Sequence, residues 1–272
     1  IALLAPTLPH DELTRCASLL SPQVIIVSTP DGCAAAARAF PEAHVLAVGC
    51  PVAPVPLISE IVAQTGYDAD RSFPHIDADS KIVVFSSGST GRPKAIVNKL
   101  SSFALNGIAL TRALELAPDD VLFVPVPFIH VFGVVGVFAT LMSGASLVSD
   151  EKYHARAACQ LVSTYRATVH LGVSTMFVRE LRENQDSEWD FSSLRAGLVA
   201  GAGCPASVIT EFEERYGCRI MQSYGMSETA ATLTVTPLEL PASRRAATVG
   251  LCIEGAEVKT DPDTGELLCK SA

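Results

Sequence analysis

Ile82-Val83-Val84-Phe85-Ser86-Ser87-Gly88-Ser89-Thr90-Gly91-Arg92-Pro93-Lys94 runs a short apolar stretch straight into hydroxyls and glycines, with a lysine at the end. A brief run rich in β-branched residues and bounded by turn residues reads as a buried strand. Such a strand needs cover on both faces, which a parallel sheet between helices supplies. Glycines in the following loop let backbone N–H groups turn toward an anion. Ser and Thr hydroxyls can donate to phosphate oxygens or bind Mg²⁺, and Lys94 adds a mobile positive charge. The loop therefore reads as a polyphosphate cradle. It is not a Walker A loop, because no Gly-Lys-Ser/Thr ends it. The same composition also suits a flexible polar hairpin.

The pattern repeats outward in both directions. Toward the N-terminus, residues 24–27 and 45–48 read as strands, 34–40 as a short helix, and the Pro- and Gly-rich 49–56 as a loop. Toward the C-terminus, 95–97 is extended and 100–116 is helical up to Pro118. Ala155, Ala158, Cys159, Val162 and Tyr165 share one helical face, and 169–171 is a strand. Val173, Met176, Phe177 and Leu181 again have helical spacing. Residues 198–200 form a strand that enters the loop 201–205, and Pro205 suits the first turn of a helix carrying Val208, Ile209, Phe212 and Tyr216. Residues 219–221 are a strand, and Asp261-Pro262-Asp263-Thr264-Gly265 is a hairpin turn. Alternation of this kind predicts an α/β protein with largely parallel sheets, whose ligands sit beyond the carboxyl ends of the strands.

Composition narrows the class. The 272 residues are 49% hydrophobic and 18% charged, which excludes an intrinsically disordered chain. At about 150 residues per domain, the length suits one large or two small domains. Lys and Arg total 20 against 29 Asp and Glu, a net charge of −9, which disfavours a nucleic-acid or anionic-membrane partner. None of the eight cysteines forms a CxxC pair, so zinc knuckles and a disulfide framework are not expected. Free thiols in a reducing cytoplasm are expected instead, and no signal peptide. Val121 to Ser149 holds no Asp, Glu, Lys or Arg and is long enough to cross a bilayer. It contains Pro125, Pro127, His130, Gly133, Gly136 and Gly144, so it reads as strand, loop, buried helix and strand, with no membrane span.

Two more segments can carry chemistry. In Gln222-Ser223-Tyr224-Gly225-Met226-Ser227-Glu228-Thr229 the tyrosine can lay a flat ring on a base, and Glu228 is a hard oxygen ligand for Mg²⁺. An ordinary surface loop with a solvated glutamate fits the same residues. In Pro125-Val126-Pro127-Phe128-Ile129-His130-Val131-Phe132-Gly133 the histidine is either a buried, hydrogen-bonded structural group or a functional one.

Taken together, these motifs resemble one family. Ser86 to Lys94 is similar to the phosphate loop of the adenylate-forming enzymes, the superfamily of acyl- and aryl-CoA synthetases, firefly luciferase and peptide-synthetase adenylation domains. Ser223 to Thr229 resembles its Tyr-Gly-x-Thr-Glu signature, Pro127 to Gly133 its histidine motif and Ala200 to Pro205 its adenine loop. Thr248-Val249-Gly250 and Gly265-Glu266-Leu267 look like its later landmarks. The resemblance implies layered αβαβα subdomains in a large N-terminal domain, grouped as 1–80 with 230–272, and 81–229. It implies attack of a carboxylate on the α-phosphate of Mg·ATP, then transfer of the acyl group to a thiol, commonly coenzyme A.

By that resemblance Ser86, Ser87, Gly88, Ser89, Thr90, Gly91 and Lys94 hold the ATP phosphates, and Thr90 and Glu228 bind or position Mg²⁺. Tyr224 stacks on adenine beside Gly225, with Gln222 and Ser223 at the base edge and Ser227 near the α-phosphate. Gly203, Cys204 and Pro205 line the nucleotide and acyl pocket, which His130, Phe132 and Met226 border. Lys94, His130 and Glu228 are the expected catalytic residues. Ser227 replaces a threonine but keeps the hydroxyl, and Ala95 stands where glycine is usual. A histidine after the phenylalanine of its motif, where amino-acid-loading domains tend to carry aspartate, favours a non-amino-acid carboxylate. The alternatives are amino-acid adenylation for a carrier-protein thiol, or a non-catalytic nucleotide-binding remnant. The family's Thr-Gly-Asp motif, hinge and mobile C-terminal domain are not in this chain, so it is expected to be a fragment without full turnover alone.

Overall fold

Val121–Phe123 (β6), Ser146–Val148 (β7), Val169–Gly172 (β8), Ala196–Val199 (β9) and Arg219–Tyr224 (β10) form the parallel part of a seven-stranded sheet. All four residues of β8 and of β9 are buried, as strands covered on both faces must be. Thr234–Val235 (β11) adds antiparallel to β10, and Leu251–Cys252 (β12) antiparallel to β11. The order is β12-β11-β10-β9-β8-β6-β7. β7 and β8 thus lie on opposite sides of β6. That reversal opens a crevice beyond the carboxyl ends of β6 and β8.

A computed structural model describes residues 1–4, 10–48, 80–86, 94–186 and 188–271. The remaining strands are Ala2–Leu3 (β1), Val24–Val27 (β2), His44–Ala47 (β3), Lys81–Ser86 (β4), Lys94–Lys99 (β5), Glu257–Thr260 (β13) and Leu267–Lys270 (β14). They form a three-stranded sheet β1-β4-β5, a parallel pair β2-β3 and a hairpin β13-β14. The helices are His10–Leu19 (α1), Pro30–Ala39 (α2), Leu100–Ala113 (α3), Val131–Ser143 (α4), Ala155–Thr164 (α5), Ser174–Glu183 (α6), Ala206–Tyr216 (α7) and Ala242–Ala246 (α8). The α/β expectation with a mainly parallel sheet is met. The uncharged stretch 121–149 is β6, a loop, the buried helix α4 and β7. No helix among the described residues is long and apolar enough to cross a membrane.

Local chemistry sets the boundaries. α2 begins four residues before the expected start, because Thr29 accepts the Gly32 N–H at 3.1 Å and Pro30 occupies the first turn. α3 stops short of the expected 116 because Glu115 takes a left-handed φ of 50°, which no helix continues. A buried hydrophobic cluster packs Phe123, Phe177, Phe191, Phe212, Ile209 and Ile220 between the sheet and α5–α7. The Phe177 and Phe212 rings meet edge-on, with centroids 5.1 Å apart. Cys159, Cys204 and Cys218 are buried free thiols, and Cys252 and Cys269 are exposed ones.

The chain divides into two compact units, Ile1–Asp77 with Val83–Ile96, and Ala78–Ile82 with Val97–Ala272. This differs from the grouping of 230–272 with 1–80. β11 and β12 continue the sheet of β10 by backbone pairing, which ties that segment to the second unit.

Candidate active site

The crevice holds a cavity of about 320 Å³ within the second unit. Its wall collects Val126, His130, Val131 and Phe132 from the segment after β6, Val173 after β8, and Ala200 and Gly201 after β9. Ser223, Gly225, Met226, Ser227, Ala231 and Thr232, at the end of β10 and just beyond, complete it. Two motifs far apart in sequence therefore share one cavity.

His130 is exposed and is the N-cap of α4. A turn from its N–H to the Pro127 carbonyl at 3.0 Å sets it, and its own carbonyl accepts from Val134 at 3.1 Å. A Cβ at position 133 would come within 2.6 Å of the Pro127 carbonyl oxygen, so only glycine lets α4 start this close to the preceding segment. The histidine is thus presented to the cavity, not buried as a structural group. Phe132, the second residue of α4, is buried and supplies an apolar wall.

The second motif is held from several directions. Ser227–Thr229 forms a single 3-10 turn. The buried Asn98 side chain donates to the Ser227 carbonyl at 2.9 Å. Asn106, also buried, donates to the Thr229 carbonyl at 3.4 Å and accepts the Thr232 N–H at 2.9 Å. Leu233 N–H donates to the Tyr224 carbonyl at 2.8 Å and closes the loop. Within it the chain passes so near itself that a Cβ on Gly225 would strike the Ala231 carbonyl oxygen. Ala230 and Ala231 have φ of 54° and 100°, a left-handed stretch that L residues adopt only under constraint. Glu228 lies exposed on the 3-10 turn beside the cavity-lining Ser227.

Other expected residues are placed differently. Gln222, expected at a base edge, is buried. Its Oε1 accepts the Cys204 N–H at 2.9 Å, and its Nε2 donates to the carbonyls of Arg245 at 2.8 Å and Thr248 at 3.3 Å. It clamps the loop after β9 to the segment that follows β11. Cys204 belongs to the buried core cluster, where burial pushes its thiol up, offset only in part by a hydrogen bond with Ser174. Gly203 and Pro205 are exposed and outside the cavity wall, while Ala200 and Gly201 from the same loop are on it. Tyr224 is half-buried at the end of β10, and the next residue, Gly225, is the one that lines the cavity. Ser86 ends β4 and Lys94 begins β5, whereas Ser87, Gly88, Ser89, Thr90 and Gly91 fall outside the described residues. The sequence reading missed Val173, Ala231, Thr232 and both buried asparagines, because nothing in their local sequence announces contacts made by distant elements.

A doubly covered, mainly parallel sheet with a crevice at its strand-order reversal is the fold of the large domain of adenylate-forming enzymes. The crystal structure of the anthranilate CoA ligase AuaEII in complex with anthranoyl-AMP superposes with a TM-score of 0.83 at 21% identity, covering 99% of this chain and 54% of that one. The chain belongs to the AMP-binding enzyme family, whose description matches residues 1–271. YngI of Bacillus subtilis (strain 168) is 32% identical over 212 residues, 76% of this chain and 39% of its own length. The acyl-CoA ligase SID4 of Ajellomyces capsulatus is 32% identical over 186 residues, 67% of this chain and 32% of its own length. The chain thus spans roughly a third to two-fifths of these curated relatives.

Proposed function

We propose that this chain carries the acid-activating site of an acyl- or aryl-CoA ligase. The observation that carries this reading is the shared cavity, which joins His130 and Phe132 to Ser223, Gly225, Met226 and Ser227. A carboxylate oxygen attacks the α-phosphorus of ATP, the bond to the β-phosphate oxygen breaks, and pyrophosphate leaves. The thiol of coenzyme A then attacks the acyl carbon and releases AMP. In-line displacement at phosphorus needs alignment and charge neutralisation more than a covalent catalyst. Ser227 donates to the α-phosphate, and His130 and Phe132 border the acyl group. Lys94 and the 86–91 loop hold the phosphate tail, and Tyr224 faces adenine. Glu228 is an exposed hard-oxygen donor of the kind Mg²⁺ takes, with Thr90 as the second expected ligand. The metal supplies neutralisation of phosphate charge when bound.

The apolar side chains of Val126, Val131, Phe132 and Val173 suit an acyl or aryl tail. No Asp or Glu among the described lining residues is present to pair with an α-ammonium group, so the reading is a non-amino-acid carboxylate. Coenzyme A as acceptor follows the relatives named as acyl-CoA ligases.

Calorimetry of the chain with ATP and with a stable acyl-adenylate mimic tests this reading, alongside carboxylate-dependent exchange of pyrophosphate into ATP. The mimic is expected to bind more tightly than ATP, by at least about tenfold. Lys94→Ala weakens ATP binding, and Glu228→Gln raises the Mg²⁺ concentration needed for it. Equal affinity for mimic and ATP supports a nucleotide sensor instead. Exchange stimulated by amino acids better than by fatty or aromatic acids supports carrier-protein loading.

A further inference from the structure

Behind the cavity its walls close on one another. Gly136 lies one turn beyond Phe132 on α4, and Val124 and Leu171 stand two residues before the lining Val126 and Val173. A Cβ on Gly136 would lie 3.1 Å from Val124 Cγ1 and 3.3 Å from Leu171 Cδ2, so α4 meets β8 and the end of β6 with no room for one more methyl. Between β8 and α6, a Cβ on Gly172 would come within 3.0 Å of Phe177 Cε2. On the side of the second motif, the Ala231 carbonyl already fills the place of a Cβ on Gly225. Val124, Leu171 and Phe177 are fully buried, and a core packed this closely resists added volume. A methylene chain therefore cannot thread any of these seams.

Volume then sets the limit. The cavity encloses about 320 Å³. At roughly 30 Å³ per heavy atom, the share a water takes in the liquid, that is room for about ten heavy atoms. A cavity of about 150 Å³ holds benzene, so a single ring fits with space to spare. The reacting carboxylate must share this volume beside Ser227. The exposed residues on the wall are His130 and Gly201, so the cavity opens beside the motifs read as acid and nucleotide contacts. A tail leaving through that mouth competes with the adenylate for it.

We infer that the site takes a compact carboxylic acid of about eight carbons or fewer, short aliphatic or single-ring aryl, and rejects long-chain fatty acids. This rests on reading the cavity as the acyl site. Each methylene that reaches the apolar wall raises affinity about fourfold. That gain ends where the seams close, because further carbons must either force the core apart or return to the mouth.

The test is calorimetric titration of the whole chain with non-hydrolysable acyl-sulfamoyl adenosines. The acyl groups run from acetyl through butanoyl, hexanoyl and octanoyl to dodecanoyl, with benzoyl beside them. Affinity is expected to climb to hexanoyl or octanoyl and then fall, leaving dodecanoyl at least about tenfold weaker than the best shorter analogue. Val173→Phe adds a ring to the half-buried wall and is expected to lower the hexanoyl-to-acetyl affinity ratio at least about fivefold. Circular dichroism checks that the variant folds, and if it does not, the wild-type series decides. Dodecanoyl binding within tenfold of the best shorter analogue, or a ratio that Val173→Phe leaves untouched, overturns the inference while the acid-activating reading stands. If no analogue binds better than AMP, that reading falls and this inference falls with it.

Discussion

Every polar atom of the Gln222 side chain is engaged by backbone groups of the 204, 245 and 248 positions. Gln222→Ala leaves a buried N–H and two carbonyls without their partner. It is expected to cost about 2–4 kcal/mol of stability, read from urea midpoints, with Gln222→Glu also destabilising because it loses the two donors. His130, Ser223, Gly225, Met226 and Ser227 were legible in sequence because each sits inside a compact motif whose residue types advertise phosphate or acyl chemistry. Gln222 sits in the same motif, yet its partners come from elsewhere in the chain, so its structural job was not.

Helix α6 is fastened to strand β8 by a fully buried pair. His170 Nε2 lies 3.1 Å from Glu180 Oε1, which also accepts the Tyr153 hydroxyl at 3.2 Å. The Phe123 and Phe177 rings enclose the imidazole, with centroids at 5.0 Å and 4.4 Å. Burial and the Glu180 carboxylate together push the Tyr153 phenol far above its usual range. The pair orients α6, whose N-cap Val173 is part of the cavity wall. Glu180→Leu strips His170 of its carboxylate partner, leaves the Tyr153 hydroxyl only the Met176 carbonyl, and is expected to cost about 3–5 kcal/mol, measured by chemical denaturation. His170→Phe with Glu180→Leu removes both ends of the pair and should recover part of that loss. The sequence marked both elements through their apolar spacing. It did not mark the pair, because a histidine in a strand and a glutamate in an amphipathic helix look solvated until the two faces meet.

At the scale of the whole molecule, Asp120, Thr168 and Arg195 tie the start of β6 to β8 and β9. Arg195 reaches Asp120 at 2.7 Å and also donates to the Leu114 and Glu115 carbonyls, while Thr168 donates to Asp120 at 2.6 Å. Burial alone would raise the Asp120 carboxyl, but the hydrogen bonds from Arg195 and Thr168 outweigh it and hold the carboxyl below its ordinary value. A carboxyl with a depressed folded-state pKa contributes stability above its unfolded value, near pH 4, and loses it as pH falls through the folded value. Stability is therefore expected to decline below about pH 4. Asp120→Asn should be less stable at neutral pH and should flatten that acid limb, as followed by urea midpoints across pH. The parallel alternation and the loops at strand ends were legible from period and turn chemistry. The joining of β11 and β12 to the main sheet was not, because strands this short carry too few residues to show a period.

Apart from Ser223, which lies within β10, the cavity is walled by residues beyond the ends of β6, β8, β9 and β10, while the ladder that holds those strands together runs through their interiors. Recognition and scaffolding thus occupy separate stretches of polypeptide. Positions 126, 173 and 226 can be varied as a combinatorial set, and transplanted among related backbones, without rethreading the strands behind them, whereas 201 and 231 are tied to their left-handed backbone.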